Sequence, residues 1–354
     1  MATATSERTV ISGDTLERAV AQGVLTLRQV EMLRYLENTA AGMPAEAPVD
    51  DEKFRFINGF GDIFVTIGIA LFLGALSYFA LEWIGGAGAG FTVAMASWLL
   101  AEYFTRKRRM ALPSIVLLLV YAASVFSATL IVIAGAEAFN VSTVSEDSWP
   151  VVIAGIATIA ATALHYRRFR IPITFAAGVA ALVASVLALV IAVAPDFAER
   201  FLRPVLLVCG IAVFALAMRF DLSDPQRRTR RTDIAFWLHM LAAPLVVHPL
   251  ISGLVASGNL NAATSLGVLA IFLGLAAVAV LVDRRAILVS GLSYAGIAFG
   301  SLVRQIGLGE SVVPLTLLVL GALVLLLSAG WHALRRRLFA LLPAALVQRL
   351  PSHT

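Results

Sequence analysis

The sequence predicts an all-α, polytopic transmembrane helical bundle of about ten spans. Three observations carry this reading. Hydrophobic residues make up 60% of the chain, charged residues 14%, and the mean hydropathy is +0.89, whereas soluble domains carry about 25% charged residues. The apolar residues fall in runs of about twenty, the length a helix needs to cross a hydrocarbon core of about 30 Å. Barrel strands are about ten residues long and alternate, which these runs do not. Lys and Arg gather in alternate connections between the runs. The bundle is expected at 59–332. A cytoplasmic helical hairpin precedes it at 1–40, a linker and interfacial segment at 41–58, and an amphipathic cytoplasmic helix follows at 333–354.

The first span, 61–83, is the one on which the rest depends. It carries no charge from 63 to 81. No basic n-region followed by an apolar h-region precedes it, so it is expected to act as the insertion signal itself. Later apolar runs lie at 88–104, 112–135, 151–165, 171–194, 205–218, 234–255, 263–282, 286–303 and 312–331.

The connections fix the orientation. Arg106 to Arg109, Arg167 to Arg170, Arg219 to Arg231, Arg284 with Arg285, and Arg335 to Arg349 alternate with connections holding only Arg200, Arg203 and Arg304. With the six basic residues before the first span, 24 of the 27 Lys and Arg fall on one side. By the positive-inside rule that side is cytoplasmic, both termini lie there, and the number of spans is even. Glu137, Glu146, Asp147, Asp196, Glu199 and Glu310 mark the other side. The isoelectric point near 9.8 therefore reflects topology, and nucleic-acid binding is excluded as its reading. Cys209 is the one cysteine, so an intrachain disulfide cannot form.

Before the first span, Asp14 with Glu17 and Thr26 with Gln29 have the spacing of two capping boxes, and Gly23 can stop the first helix between them. Leu16, Val20, Leu33 and Leu36, with Val30, give each short helix an apolar face. Two such helices cannot bury a core of their own. Their surface is expected to meet a second copy, the bundle, or a membrane or cytoplasmic partner protein; the alternative is a marginal helical tail. An Ala-, Pro- and acid-rich linker follows, then Phe54, Phe56 and Phe60 around Lys53 and Arg55, a pattern of interfacial approach to the lipid bilayer. After the last run, Leu334, Leu338, Leu341 and Ala345 fall on one helical side and Arg335, Arg336 and Arg337 largely away from it. This predicts a helix lying on the inner leaflet and held there by anionic lipid.

The Gly23-Val24-Leu25-Thr26 run with Gln29, the glycine-bearing first span, and the C-terminal RRRLFALLP and RLP together resemble an uncharacterised bacterial family of multi-pass predicted membrane proteins, Domain of Unknown Function 2157. The resemblance covers the hairpin and first spans best. It implies a bacterial inner-membrane location and carries no activity or catalytic residues with it.

Few polar residues within the runs invite chemistry. His239 and His248 share a span with Pro244 and Pro249, and an intramembrane ionisable group is a functional candidate. Each proline frees a carbonyl one turn back, at Met240 and Leu245. Nine residues at 100° each set the two imidazoles on opposite faces of a straight helix. A proton path and a neutral packing role both remain open for them. Glu102 stands four before Arg106 and is expected to pair with it. Asp62 is placed to cap the first span. Arg304 either snorkels or faces a cavity. Gly296 with Gly300, and Gly61, Gly68 with Ala75, form small-residue faces suited to helix packing. The glycine-rich 85–90 stretch is expected to be a turn and lacks the lysine of a phosphate loop. GIALFLGAL from Gly68 and GIAVFALAM from Gly210 occupy matching places in two halves, a short match that an inverted repeat would explain.

No catalytic residue, cofactor or metal ligand is assigned. The reading is a non-enzymatic inner-membrane protein with a cytoplasmic assembly hairpin. The alternative is a secondary transporter or permease for a small molecule, with an intramembrane enzyme third.

Overall fold

The computed structural model describes residues 20, 22, 24–26, 28–30, 60–135, 147–224, 229–255 and 261–340, without the side chains of 255 and 286. The chain divides into two compact units, Met1–Lys53 and Phe54–Thr354. In the first, the capping box at Thr26 is formed. The Thr26 N–H donates to Gln29 Oε1 at 2.8 Å and the Gln29 N–H donates to Thr26 Oγ1 at 3.3 Å. Val20 is helical and half-buried and Val30 is buried. Leu16, Leu33 and Leu36, the other members of the expected assembly surface, lie outside the described residues, as do Asp14, Glu17, Gly23 and the linker at 41–58.

The second unit is built of helices joined by short connections, with no strand among its described residues. Its helices are α1 (Phe60–Ala101), continued by a π-helical segment Glu102–Lys107, α2 (Ala111–Ala134), α3 (Trp149–Phe169), α4 (Pro172–Val193), α5 (Pro195–Leu222), α6 (Arg230–Val255), α7 (Ala262–Val282), α8 (Ala286–Gln305) and α9 (Val312–Ala340), with a 3₁₀ turn Gly309–Ser311 before α9. Among the described residues nine helices are long and apolar enough to cross a membrane.

The sequence reading expects two spans where the first helix runs. Gly85 accounts for the difference. Its φ of 73° and ψ of 176° are non-helical and split α1 into arms 60–84 and 86–101. A straight helix would hold Ile69 and Ala101 about 48 Å apart. Instead Ile69 and Leu73 of the first arm share one buried cluster with Val93 and Ala101 of the second and Leu117 of α2. The chain therefore folds back at Gly85. Only a residue without Cβ takes this conformation without strain, and the expected turn at 85–90 is made by its first residue.

Helices adjacent in sequence pack side by side: α1 on α2, α3 on α4, α5 on α6 and α7 on α8, with α4 also against α5 and α6, and α8 joining α6 to α9. Helix α6 is central. Its Ile234, Leu238 and Ala242 pack with α4 and α5 around Val183 and Val213, and its Val247 and Ile251 pack with Val268 of α7 and Ala298 of α8. In its most apolar stretch 44% of residues are buried, against 6% in α9. Leu317, Leu318, Leu325 and Leu326 of α9 are all at least 67% exposed. A soluble monomer rarely shows such a contiguous apolar face, and a bilayer gives it an apolar solvent.

Helices α5 and α6 approach unusually closely. A methyl group on Gly210 would stand 2.7 Å from the carbonyl carbon of Leu245 and 2.8 Å from its oxygen. This is the carbonyl that Pro249 deprives of its helical donor, and glycine lets the neighbouring backbone come up to it. Gly68, in the locally matching sequence, has open surroundings, so the two positions are not equivalent in packing. Gly61 is equally open: among the described residues nothing lies within 4 Å of where its Cβ would stand. Gly296 and Gly300 do pack, against Leu320 and Val312 of α9.

The expected boundary at 333 falls inside a helix. Helix α9 runs unbroken from Val312 to Ala340. Arg335, assigned to an outward polar side, is 3% exposed and its Nη1 lies 3.2 Å from Asp283 Oδ2. A buried carboxylate across the helix interface outweighs the amphipathic pattern, because a buried charge needs a partner more than a cation needs water. Residues 341–354 lie outside the described residues, including Leu341 and Ala345.

Candidate functional site

Two polar clusters of the second unit lie at the basic ends of the helices. Asp221, in the last turn of α5, is 4% exposed. The apolar run of α5 ends there, and the carboxylate turns inward between α6 and the α7–α8 connection. Its Oδ2 accepts from His239 Nε2 at 2.9 Å and from Arg284 Nε at 3.1 Å, while its Oδ1 accepts from Arg284 Nη2. The guanidinium thus grips the carboxylate with two nitrogens, the strongest arrangement available to such a pair. His239 is fully buried in α6 and packs edge-on against Phe214 of α5 at 5.3 Å.

The next residue along continues the network. Asp283 caps α7 in the left-handed conformation, with φ 60° and ψ 47°. Its Oδ1 accepts from the indole N–H of Trp331 at 2.7 Å, and Arg335 supplies its cation. Arg285 lies over the Trp331 ring at 5.2 Å. Asp283 and Arg284 are neighbours in sequence, so the two carboxylates, two paired guanidiniums and the imidazole form one connected buried cluster. It joins α5, α6, the α7–α8 connection and α9.

A second, wetter cluster ties the first half together. Glu102 accepts from Arg168 Nε at 2.6 Å and Nη2 at 2.9 Å, and from Arg106 Nη1 at 3.3 Å. The expected pairing with Arg106 is present; the stronger partner is Arg168, at the end of α3.

The other expected residues lie apart from these clusters. His248 is exposed and hydrogen-bonds through Nδ1 to Tyr294 Oη of α8. The two histidines of α6 therefore serve different neighbours, as opposite faces require. Arg304 is exposed and lines a groove of about 560 Å³ between α8 and α9, beside Gly296, Gly300 and Thr316. Asp62 is buried within the first turn of α1 instead of preceding it, where its charge complements the positive helix end. The Thr66 hydroxyl donates to the Asp62 carbonyl at 2.7 Å.

Sequence reasoning did not single out Asp221, Asp283, Arg284, Arg335 or Tyr294 as site residues. A signal for the first two was available: acids at the ends of apolar runs, on the side where almost all charge is positive. It also passed over His165, which is 1% exposed and enclosed by Trp98, Tyr121 and Phe169 at ring separations of 5.7, 5.4 and 4.5 Å. Among the described residues no group of three or more His, Cys, Asp and Glu is placed to hold a metal ion. No protein-family model, curated protein or solved structure matches the chain.

Proposed function

We propose that the chain is a non-enzymatic multi-pass protein of a bacterial inner membrane, crossing it ten times with both termini cytoplasmic. Its N-terminal hairpin serves as an assembly or docking module, joining a second copy or a membrane or cytoplasmic protein. The observation that carries the reading is the hydrogen-bonded pairing of Asp221 with both His239 and Arg284. It braces the basic ends of three helical segments into a fixed face, as a platform requires. The back-folded α1 supports the even number of crossings that the charge pattern demands, and the Thr26–Gln29 capping box supports a deliberate helix start in the hairpin.

The test is deletion of residues 1–50 in the full chain, with the mass of the detergent-solubilised particle and its co-purifying proteins compared. Fewer copies per particle or a lost partner is expected. An equal number of copies and equal partners contradict the docking role.

One observation favours the alternative, a secondary transporter or permease for a small molecule. His239 is a titratable group held within apolar helices against a carboxylate, the arrangement of a proton relay. Proteoliposomes carrying the wild type and His239→Gln should then differ in proton flux; equal flux removes that reading.

A further inference from the structure

Five arginines converge on one cavity of about 490 Å³ at the basic ends of the helices: Arg106 and Arg109 after α1, Arg168 and Arg170 closing α3, and Arg230 opening α6. Asp233 is the one carboxylate among the lining residues. Glu102 neutralises part of the charge of Arg168 and Arg106. Arg109, Arg170 and Arg230 make no ion pair among the described residues. The concave site therefore keeps an excess of positive charge, carried on exposed side chains that line it.

The backbone makes the same point independently. Arg109 and Arg170 both sit in the left-handed region, at φ 54° and 55°. Each is followed by an extended residue, Met110 at φ −79° and ψ 129°, and Ile171 at φ −82° and ψ 129°. Each connection thus has an arginine of positive φ followed by an extended residue, and each delivers that arginine to the cavity. Glycine is the usual residue for such a position, and a side chain there is costly. Strain of this kind concentrates where a side chain is needed for function.

Below the arginines the lining turns apolar, with Ile115 of α2, Ile173 of α4 and Trp237 of α6. The guanidinium fork matches phosphate oxygens, and basic pockets between helices at the inner surface suit lipid head groups. We propose that this cavity binds a phosphate-bearing anion, its phosphate on Arg109, Arg170 and Arg230 and its less polar part against Ile115, Ile173 and Trp237. The phosphate belongs to an inner-leaflet phospholipid or to a free phosphate compound. The site stands independently of the docking role of the hairpin.

The full chain, purified in detergent and stripped of lipid, is titrated with phosphatidylglycerol in mixed micelles, with phosphatidylcholine as reference, and separately with inorganic pyrophosphate. Trp fluorescence and the thermal unfolding midpoint report binding. A saturable response to phosphatidylglycerol alone assigns the lipid, and one to pyrophosphate alone assigns the free compound. Arg109→Asn with Arg170→Asn removes both charges while keeping a residue that tolerates the left-handed conformation. It should weaken the response at least about tenfold, the effect of losing one charge-assisted contact. Arg230→Gln, in helical backbone, should do likewise and decides the matter if the double variant does not fold. Arg336→Gln, on the exposed side of α9, should leave the response unchanged. No saturable response to either probe, or an undiminished response in Arg230→Gln, overturns the proposal.

Discussion

Asp221 and Arg284 lie 63 residues apart in the chain and meet as a two-nitrogen ion pair whose side chains are 2% and 3% exposed. Glu102 and Arg168, 66 residues apart, make the same kind of pair with side chains 29% and 41% exposed. In each case an acid closing one helix is held by an arginine at the basic end two crossings further on. The same chemistry is buried in one half and wet in the other, so the two pairs should differ in energetic weight.

Arg284→Gln leaves Asp221 buried with its cation gone and should destabilise the protein by about 3–5 kcal/mol. The midpoint of thermal unfolding in detergent should fall clearly. Asp221→Asn combined with Arg284→Gln should recover part of the loss, because no lone charge then remains. A single variant that melts with the wild type would show that the brace contributes little.

Arg168→Gln should lower the midpoint far less than Arg284→Gln, since water screens the exposed pair. Its effect should shrink further as salt is raised from 0.05 M to about 1 M, whereas that of Arg284→Gln should persist. Equal salt sensitivity at both sites would contradict the assigned burial.

Trp331→Phe keeps the ring but removes the indole donor to Asp283. A hydrogen bond to a buried charge is worth about 1.5–3 kcal/mol, and a loss of that order is expected in the same melting assay. An unchanged midpoint would mean that Arg335 alone satisfies the carboxylate.

Gly210→Val places carbon atoms against the Leu245 backbone, less than 3 Å away. It should destabilise the α5–α6 pair by about 1–3 kcal/mol, the usual cost of overpacking. At Gly68, the matching place in GIA, an added Cβ meets nothing within 4 Å among the described residues, and Gly68→Val should be tolerated. Equal effects in the folded yield of the two variants would undo the distinction between packed and open faces.

Much of the helical architecture was legible because it depends on local composition. Apolar runs found the helices, the glycine-rich stretch found the turn at Gly85, and the spacing of Thr26 and Gln29 found a capping box. Glu102–Arg106 was visible for the same reason, being one helical turn apart. Asp221–Arg284 and Asp283–Arg335 were not, because their partnership exists only once α5, α7, α8 and α9 are neighbours. Arg335 misled for a physical reason: a helical wheel ranks water against apolar surroundings and has no place for a buried carboxylate on the next helix. Arg284, counted among the residues that set orientation, also serves inside the bundle.

The proposed topology depends on the back-fold at Gly85: only if the two arms of α1 are two crossings is the proposed number of crossings even. Substituted cysteines test it most directly, in a Cys209→Ser background labelled with a membrane-impermeant maleimide. Glu82→Cys, beside the turn, should label in intact cells, and Lys107→Cys, at the basic end of the second arm, should label only after the membrane is permeabilised. Labelling of Lys107→Cys in intact cells, with Glu82→Cys protected, would contradict it.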